Sequence, residues 1–227
     1  VVAVQHINSE TGNAQDITAI AQIVHGAGGI LIVDCAQSAG KYPIAAEADM
    51  AIVSAHKFGG PIGVGALLVR DFALLEPSGG HERGYRRGTE NMPAILGMAA
   101  ALEAIGDEYL APDVLEPLDA LRDEVVRLSG VCLSDGLAAP TRFVRSIAMQ
   151  GMSGSAQLMR FDMAGIAVSQ GSACSSGTLK KSHVLDAMSI DDDLASRSIR
   201  VSVGWNTARA EVERFCKVWV DMAKGAS

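Results

Sequence analysis

Two short apolar runs in the sequence end on residues that can do chemistry. Ile30-Leu31-Ile32-Val33 stops at Asp34, and Met50-Ala51-Ile52-Val53 runs into Ser54-Ala55-His56-Lys57. Runs this short, bounded by polar and turn residues, read as buried strands. Phe58-Gly59-Gly60-Pro61-Ile62-Gly63, after the second run, is turn chemistry. A carboxylate thus leaves one strand, and a hydroxyl, an imidazole and an amine leave another. In open α/β sheets the carboxyl ends of strands are where ligands bind. Taken singly, Asp34 reads as a loop cap and Lys57 as a solvated surface lysine. Taken together, they suit pyridoxal phosphate (PLP), which needs a lysine for a Schiff base and a carboxylate to keep its pyridine nitrogen protonated.

The elements that must hold these groups follow from periodicity. Val1 to Val4 is apolar and leads into the polar loop Gln5–Gly12. Asp16 caps a helix whose buried face is Ile17, Ile20, Ala21 and Val24, and Gly26, Gly28 and Gly29 end it. Strand, helix and strand in that order predict a parallel pair. Gly65–Val69 is a further strand, and the glycine-rich charged stretch 78–91 is a long loop of the kind that carries function. Asn91 and Pro93 start a helix with Ile95, Met98, Ala99, Leu102 and Ile105 on its apolar face. The texture changes near Gly106–Asp113, which predicts two domains, 1–110 and 111–227. In the second, Leu115 to Leu128 marks an amphipathic helix and Val131–Leu133 and Phe143–Met149 are strand-like. A helix around Leu158–Met163, the alternating strand Ser198–Val203 and a closing helix through Val212, Phe215 and Trp219 complete it. The expected class is α/β.

Bulk properties exclude several functions. The 227 residues carry a net charge of −7, 48% are hydrophobic and 20% charged, an ordinary globular balance that argues against nucleic-acid or anionic-membrane partners. No apolar stretch is long enough to span a bilayer, and no secretory signal opens the chain, so a cytoplasmic location is expected. The chain opens on Val1 inside what reads as a strand, from which we expect part of a domain to lie outside it. Cysteines stand at 35, 132, 174 and 216 with no metal or redox spacing, so no metal is expected and any special cysteine acts singly.

Five segments then carry a resemblance: Asp34-Cys35-Ala36-Gln37, Ser54-Ala55-His56-Lys57, the stretch His81–Thr89, Gly171-Ser172-Ala173-Cys174-Ser175-Ser176, and Ser198-Ile199-Arg200. In this order they resemble the NifS/IscS-like cysteine desulfurases of the class V aminotransferase group. The resemblance implies the PLP-dependent transferase fold type I, with a large PLP-binding domain and a smaller α+β C-terminal domain. It implies conversion of L-cysteine to L-alanine, with sulfur passing to iron–sulfur cluster assembly or another acceptor protein. By the same resemblance Lys57 binds PLP and removes the α-proton, Asp34 pairs with the pyridinium nitrogen, and Gln37 bonds the phenolic oxygen. Ser54 and His56 hold the phosphate, and Thr89 reaches the phosphate in a neighbouring subunit, implying a homodimer. Arg200 clamps the substrate carboxylate through parallel N–H bonds, and Cys174 is the nucleophile that becomes a persulfide. Small residues flank Cys174, as access for a thiolate requires, whereas Cys35, Cys132 and Cys216 read as buried small hydrophobes.

Two departures stand out. Ser9 occupies the place of the second of two family asparagines. A family segment bearing the ring-stacking imidazole and a Gly-Ala-Thr phosphate loop has no counterpart in the chain, so weak PLP binding without a companion segment is expected. The rival readings are a selenocysteine lyase or cysteine sulfinate desulfinase, which depends less on Cys174, and a non-catalytic subunit.

Overall fold

The computed structural model describes residues 1–106, 109–171 and 182–226. They form two compact units. One comprises Val1–Ile7 with Gln15–Tyr109, and the other comprises Asn8–Ala14 with the chain from Leu110 on.

The first unit is built on a four-stranded sheet in chain order: β1 (Val2–Gln5), β2 (Leu31–Asp34), β3 (Met50–Ser54) and β4 (Gly65–Val69). The first three strands are parallel, and β4 is antiparallel to β3. Helix α1 (Ile17–Gly26) makes the crossover from β1 to β2, and the Asp16 carboxylate accepts from the Ala19 amide at its start. Its buried residues Ile17, Ala21 and Val24 pack with Leu31, Val33, Ala51, Val53, Phe58 and Met98 into one core. Alternation along a strand sends the next residues to the opposite face. There the register sets Gln5, Asp34, Ile52 and Leu67 in one row across the sheet. That face is open: Ile52 is 43% and Leu67 49% exposed. A trough of about 520 Å³ runs over it, lined by Ala3, Gln5, Ile32, Asp34 and Ile52 among others. Helix α2 (Met92–Glu103) buries Ala94 and Met98. Leu102 and Ala99, expected inside, are exposed. The helix is apolar around most of its circumference, so spacing alone did not select a face.

The second unit has an antiparallel sheet of β5 (Val131–Cys132), β6 (Val144–Ala148) and β7 (Ser198–Ser202), in that order. Helices α3 (Pro112–Arg127), α4 (Gly154–Met163) and α7 (Arg209–Ala226) contribute to its core with Leu118, Val125, Phe161, Phe215 and Trp219. The Phe161 and Phe215 rings stack at 5.0 Å between centroids. Pro117, inside α3, lacks the N–H that would bond the Asp113 carbonyl, four residues back. The Arg209 guanidinium donates to that carbonyl instead, at 2.7 Å. Two five-residue helices, α5 (His183–Ala187) and α6 (Asp192–Ser196), precede β7. Among the described residues no helix is long and apolar enough to cross a membrane.

Candidate active site

The predicted cofactor residues of the first unit lie where two neighbouring parallel strands end. Asp34 is the last residue of β2 and stands exposed on the open sheet face, paired in register with Ile52 of β3. One carboxylate oxygen accepts from the Ala36 amide at 2.8 Å, which turns the chain and leaves the other oxygen for a ligand. Buried Cys35 anchors the turn: its amide donates to the Ile52 carbonyl and its own carbonyl accepts from Ser38 and Ala39. Gln37 follows, half-buried, and the Lys41 ammonium donates to its carbonyl at 2.9 Å.

Two residues beyond Ile52, Ser54 ends β3, and Ala55–Lys57 form a single 3-10 turn. Ala55 and Phe58 are buried, so the polar residues 56 and 57 are held between two apolar pins. The Ser54 hydroxyl and His56 Nδ1 are 3.0 Å apart. When Ser54 donates in this pair, His56 Nε2 carries the ring proton and is left as a donor. Gly65 starts β4 opposite Ser54, and a Cβ there would fall 2.4 Å from the Val53 carbonyl oxygen, so only glycine fits. His56 is exposed and Lys57 half-buried.

Lys41 is the residue that sequence reasoning passed over. Burial pushes its ammonium down to about 8, and the neighbouring Lys57 charge adds to the shift. It also lies over the Tyr109 ring, 5.1 Å from the centroid. The turn after Asp34 and the turn after β3 therefore bring two amines near each other. Only a reading of the turn itself, with a lysine four residues after Gln37, could have pointed to it.

Thr89 is exposed at the end of the loop between β4 and α2. That loop is held by a contact of 3.0 Å between His81 Nδ1 and the Glu90 carboxylate and by Arg87 donating to the Ser78 carbonyl. Among the described residues, no side-chain hydrogen bond ties Thr89 to the strand-end cluster. Cys174 lies outside the described residues.

In the second unit Arg200 is at the centre of β7, and its Nη1 donates to the Ser9 carbonyl at 3.0 Å. Ser9 therefore meets Arg200 through its backbone, a contact that does not depend on which side chain stands at position 9. The loop bearing Ser9 is bound into this unit. Thr141 donates its amide to the Gly12 carbonyl, and a Cβ on Gly12 would meet the Val144 carbonyl oxygen at 2.5 Å.

The strand-end residues fit PLP by their chemistry. A hydroxyl, an imidazole and an amine are donors for a phosphate and an aldehyde, and a carboxylate on an open face suits a pyridinium nitrogen.

A parallel sheet with an amine and an acid at adjacent strand ends is the kind of scaffold on which PLP can be held. The chain belongs to the class V aminotransferase family, whose profile matches residues 1–215. It is 37% identical to a cysteine desulfurase of Cereibacter sphaeroides over 96% of the chain, and 38% identical to the cysteine desulfurase IscS of Anaeromyxobacter dehalogenans over 94%. The chain spans 58% and 55% of the length of these two relatives. Among solved structures, a NifS-like protein matches 99% of the chain with a TM-score of 0.85 at 30% identity, over 61% of its own length. A cysteine desulfurase from Thermococcus onnurineus matches 99% of the chain at a TM-score of 0.80 and 25% identity, over 60% of its own length. The α/β architecture of fold type I is thereby shared with these proteins.

Proposed function

We propose that the chain carries the cofactor lysine and the sulfur-accepting cysteine of a cysteine desulfurase. The observation that supports this most is the placement of Asp34 and of Ser54, His56 and Lys57 at the ends of adjacent parallel strands. The 35–38% identity to curated cysteine desulfurases favours the same substrate, L-cysteine.

In this reading residues 1–110 form the large domain and residues 111–227 the small one. Asp34 would hold the pyridinium nitrogen of PLP, Gln37 its phenolic oxygen, and Ser54 and His56 its phosphate. Thr89 would serve the phosphate across a homodimer. Bound PLP supplies a conjugated cation that stabilises negative charge at the substrate α-carbon. Lys57 would hold the cofactor and, once displaced by substrate, take the α-proton. Arg200 would orient the substrate by its carboxylate. The Cys174 thiolate would attack the substrate sulfur, forming the S–S bond as the carbon–sulfur bond breaks. The electron pair of that bond stays on carbon, which is protonated to give alanine, and Cys174 is left as a persulfide for an acceptor protein. The reaction suits a cytoplasmic protein. The ring-stacking imidazole and the remaining phosphate donors that the resemblance implies would come from outside these 227 residues.

The test is the colour of the protein. With PLP added, and a companion segment where loading requires it, a visible absorbance should appear and should vanish in Lys57→Ala. A protein that stays colourless under both conditions overturns the proposal and favours a non-catalytic subunit.

A further inference from the structure

Glu10 is an acid that no step of the proposed reaction uses, yet it is only 6% exposed. A buried carboxylate is retained only where it is well paired. Among the described residues its side-chain partner is the Ser182 hydroxyl, which donates to Oε2 at 2.5 Å from 172 residues away in sequence. Ser182 is also the N-cap of α5, accepting the Leu185 amide at 3.1 Å.

The backbone on the other side of Glu10 is equally constrained. Ser9 and Glu10 share one planar peptide group. Its N–H donates to the Asn8 side-chain oxygen at 2.9 Å, and its C=O accepts from Arg200 Nη1 at 3.0 Å. Asn8 receives Thr11 through both amide and hydroxyl, so the turn is closed on itself. The peptide that orients Arg200 is therefore fixed by Asn8 at its nitrogen, and the residue that follows is fixed by the Glu10 carboxylate on Ser182.

We propose that Glu10 is a positioning residue for substrate binding: clasped by Ser182, it holds the Ser9–Glu10 peptide that sets the direction of the Arg200 guanidinium. This rests on the reading of Arg200 as the carboxylate clamp. Removing the carboxylate leaves Asn8 as the remaining hold on that peptide and loosens it, and a guanidinium that swings by even a fraction of an ångström loses one of two parallel bonds to a carboxylate. The loss falls on binding. The proton transfer and sulfur transfer involve other groups.

The experiment compares Glu10→Ala, Glu10→Gln, Ser182→Ala and Arg200→Ala in the PLP-loaded protein, with the companion segment where loading requires it. Glu10→Ala and Ser182→Ala should raise KM for L-cysteine about tenfold while kcat stays within about twofold. Glu10→Gln keeps an acceptor oxygen for the Ser182 hydroxyl and should restore KM to within about twofold of the parent. In the chain without cofactor, hydrogen exchange at the Leu185 amide should speed up in Glu10→Ala and stay slow in Glu10→Gln. A raised KM in Arg200→Ala with an unchanged KM in both Glu10→Ala and Ser182→Ala overturns the role of Glu10 and leaves the clamp standing. An unchanged KM in Arg200→Ala overturns the clamp itself. Should Glu10→Ala fail to fold, Ser182→Ala decides.

Discussion

A cysteine reacts as its thiolate, and burial decides how much thiolate each site holds. Burial pushes Cys132 and Cys216 up to about 11 and raises Cys35 as well. At pH 8 a group at about 11 is ionised to roughly one part in a thousand. Cys216 is further occupied in donating to the Pro117 carbonyl. An alkylating reagent at pH 8 should therefore label Cys174 of the folded protein, with the other three reacting only after unfolding. Mass mapping of the labelled peptides checks this, and comparable labelling at Cys132 or Cys216 would refute it. Lysines divide in the same manner. Lys41 and Lys57 sit near each other, and Lys41 donates to the Gln37 carbonyl and lies over the Tyr109 ring, which is consistent with the proposed role of Lys57.

At the scale of elements, one carboxylate joins the pieces that carry the strand ends. Asp49, just before β3, accepts from the Leu31 amide at 2.8 Å and bonds His25 of α1 at 2.9 Å, with Arg70 beyond β4 at 3.7 Å. The Leu31 amide does most to hold its carboxyl below the usual range. Burial opposes the shift, and His25 and Arg70 add to it. A folded value below the unfolded one means that the stabilisation is complete above the ordinary carboxylate pKa of about 4 and fades as pH falls through the folded value. Asp49→Asn should thus melt lower than the parent at pH 7, and the two melting curves should converge below about pH 4. A gap that is the same at every pH would show that charge is irrelevant there.

Much of this level was legible in the sequence. Strands β2 and β3 are short apolar runs with ionisable ends, and α1 announces itself by its cap and its 3.6-residue period. The face of α2 was not legible, because a helix apolar nearly all round leaves the choice to its neighbours. Helices α5 and α6 span five residues each, too few for a period to register. Val131–Leu133 keeps only two strand residues before a 3-10 turn at Leu133–Gly136. Asp34 and Lys57 were singled out in the sequence by their chemistry and spacing. Glu10 was not, since its partner is remote in the chain and only folding supplies it.

Over the whole molecule, each of the two compact units rests on its own apolar core. Phe161 is fully buried in the second core and stacks on Phe215, so Phe161→Ala should cost about 3–5 kcal/mol by cavity formation. Denaturant unfolding followed by the fluorescence of buried Trp219 measures it, and a loss under about 1 kcal/mol would mean that the core collapses around the cavity. The proposed function assigns the cofactor lysine to residue 57 and its acid to residue 34, the carboxylate clamp to residue 200 and the sulfur acceptor to residue 174. Its central claim is that the sulfur of L-cysteine passes to Cys174 while the carbon skeleton leaves as alanine. The most direct test incubates the PLP-loaded protein with L-cysteine and measures alanine together with the mass of the peptide containing Cys174. The account predicts alanine, one additional sulfur atom on that peptide, and neither product from Cys174→Ser. Alanine released by Cys174→Ser at the parent's rate would contradict it.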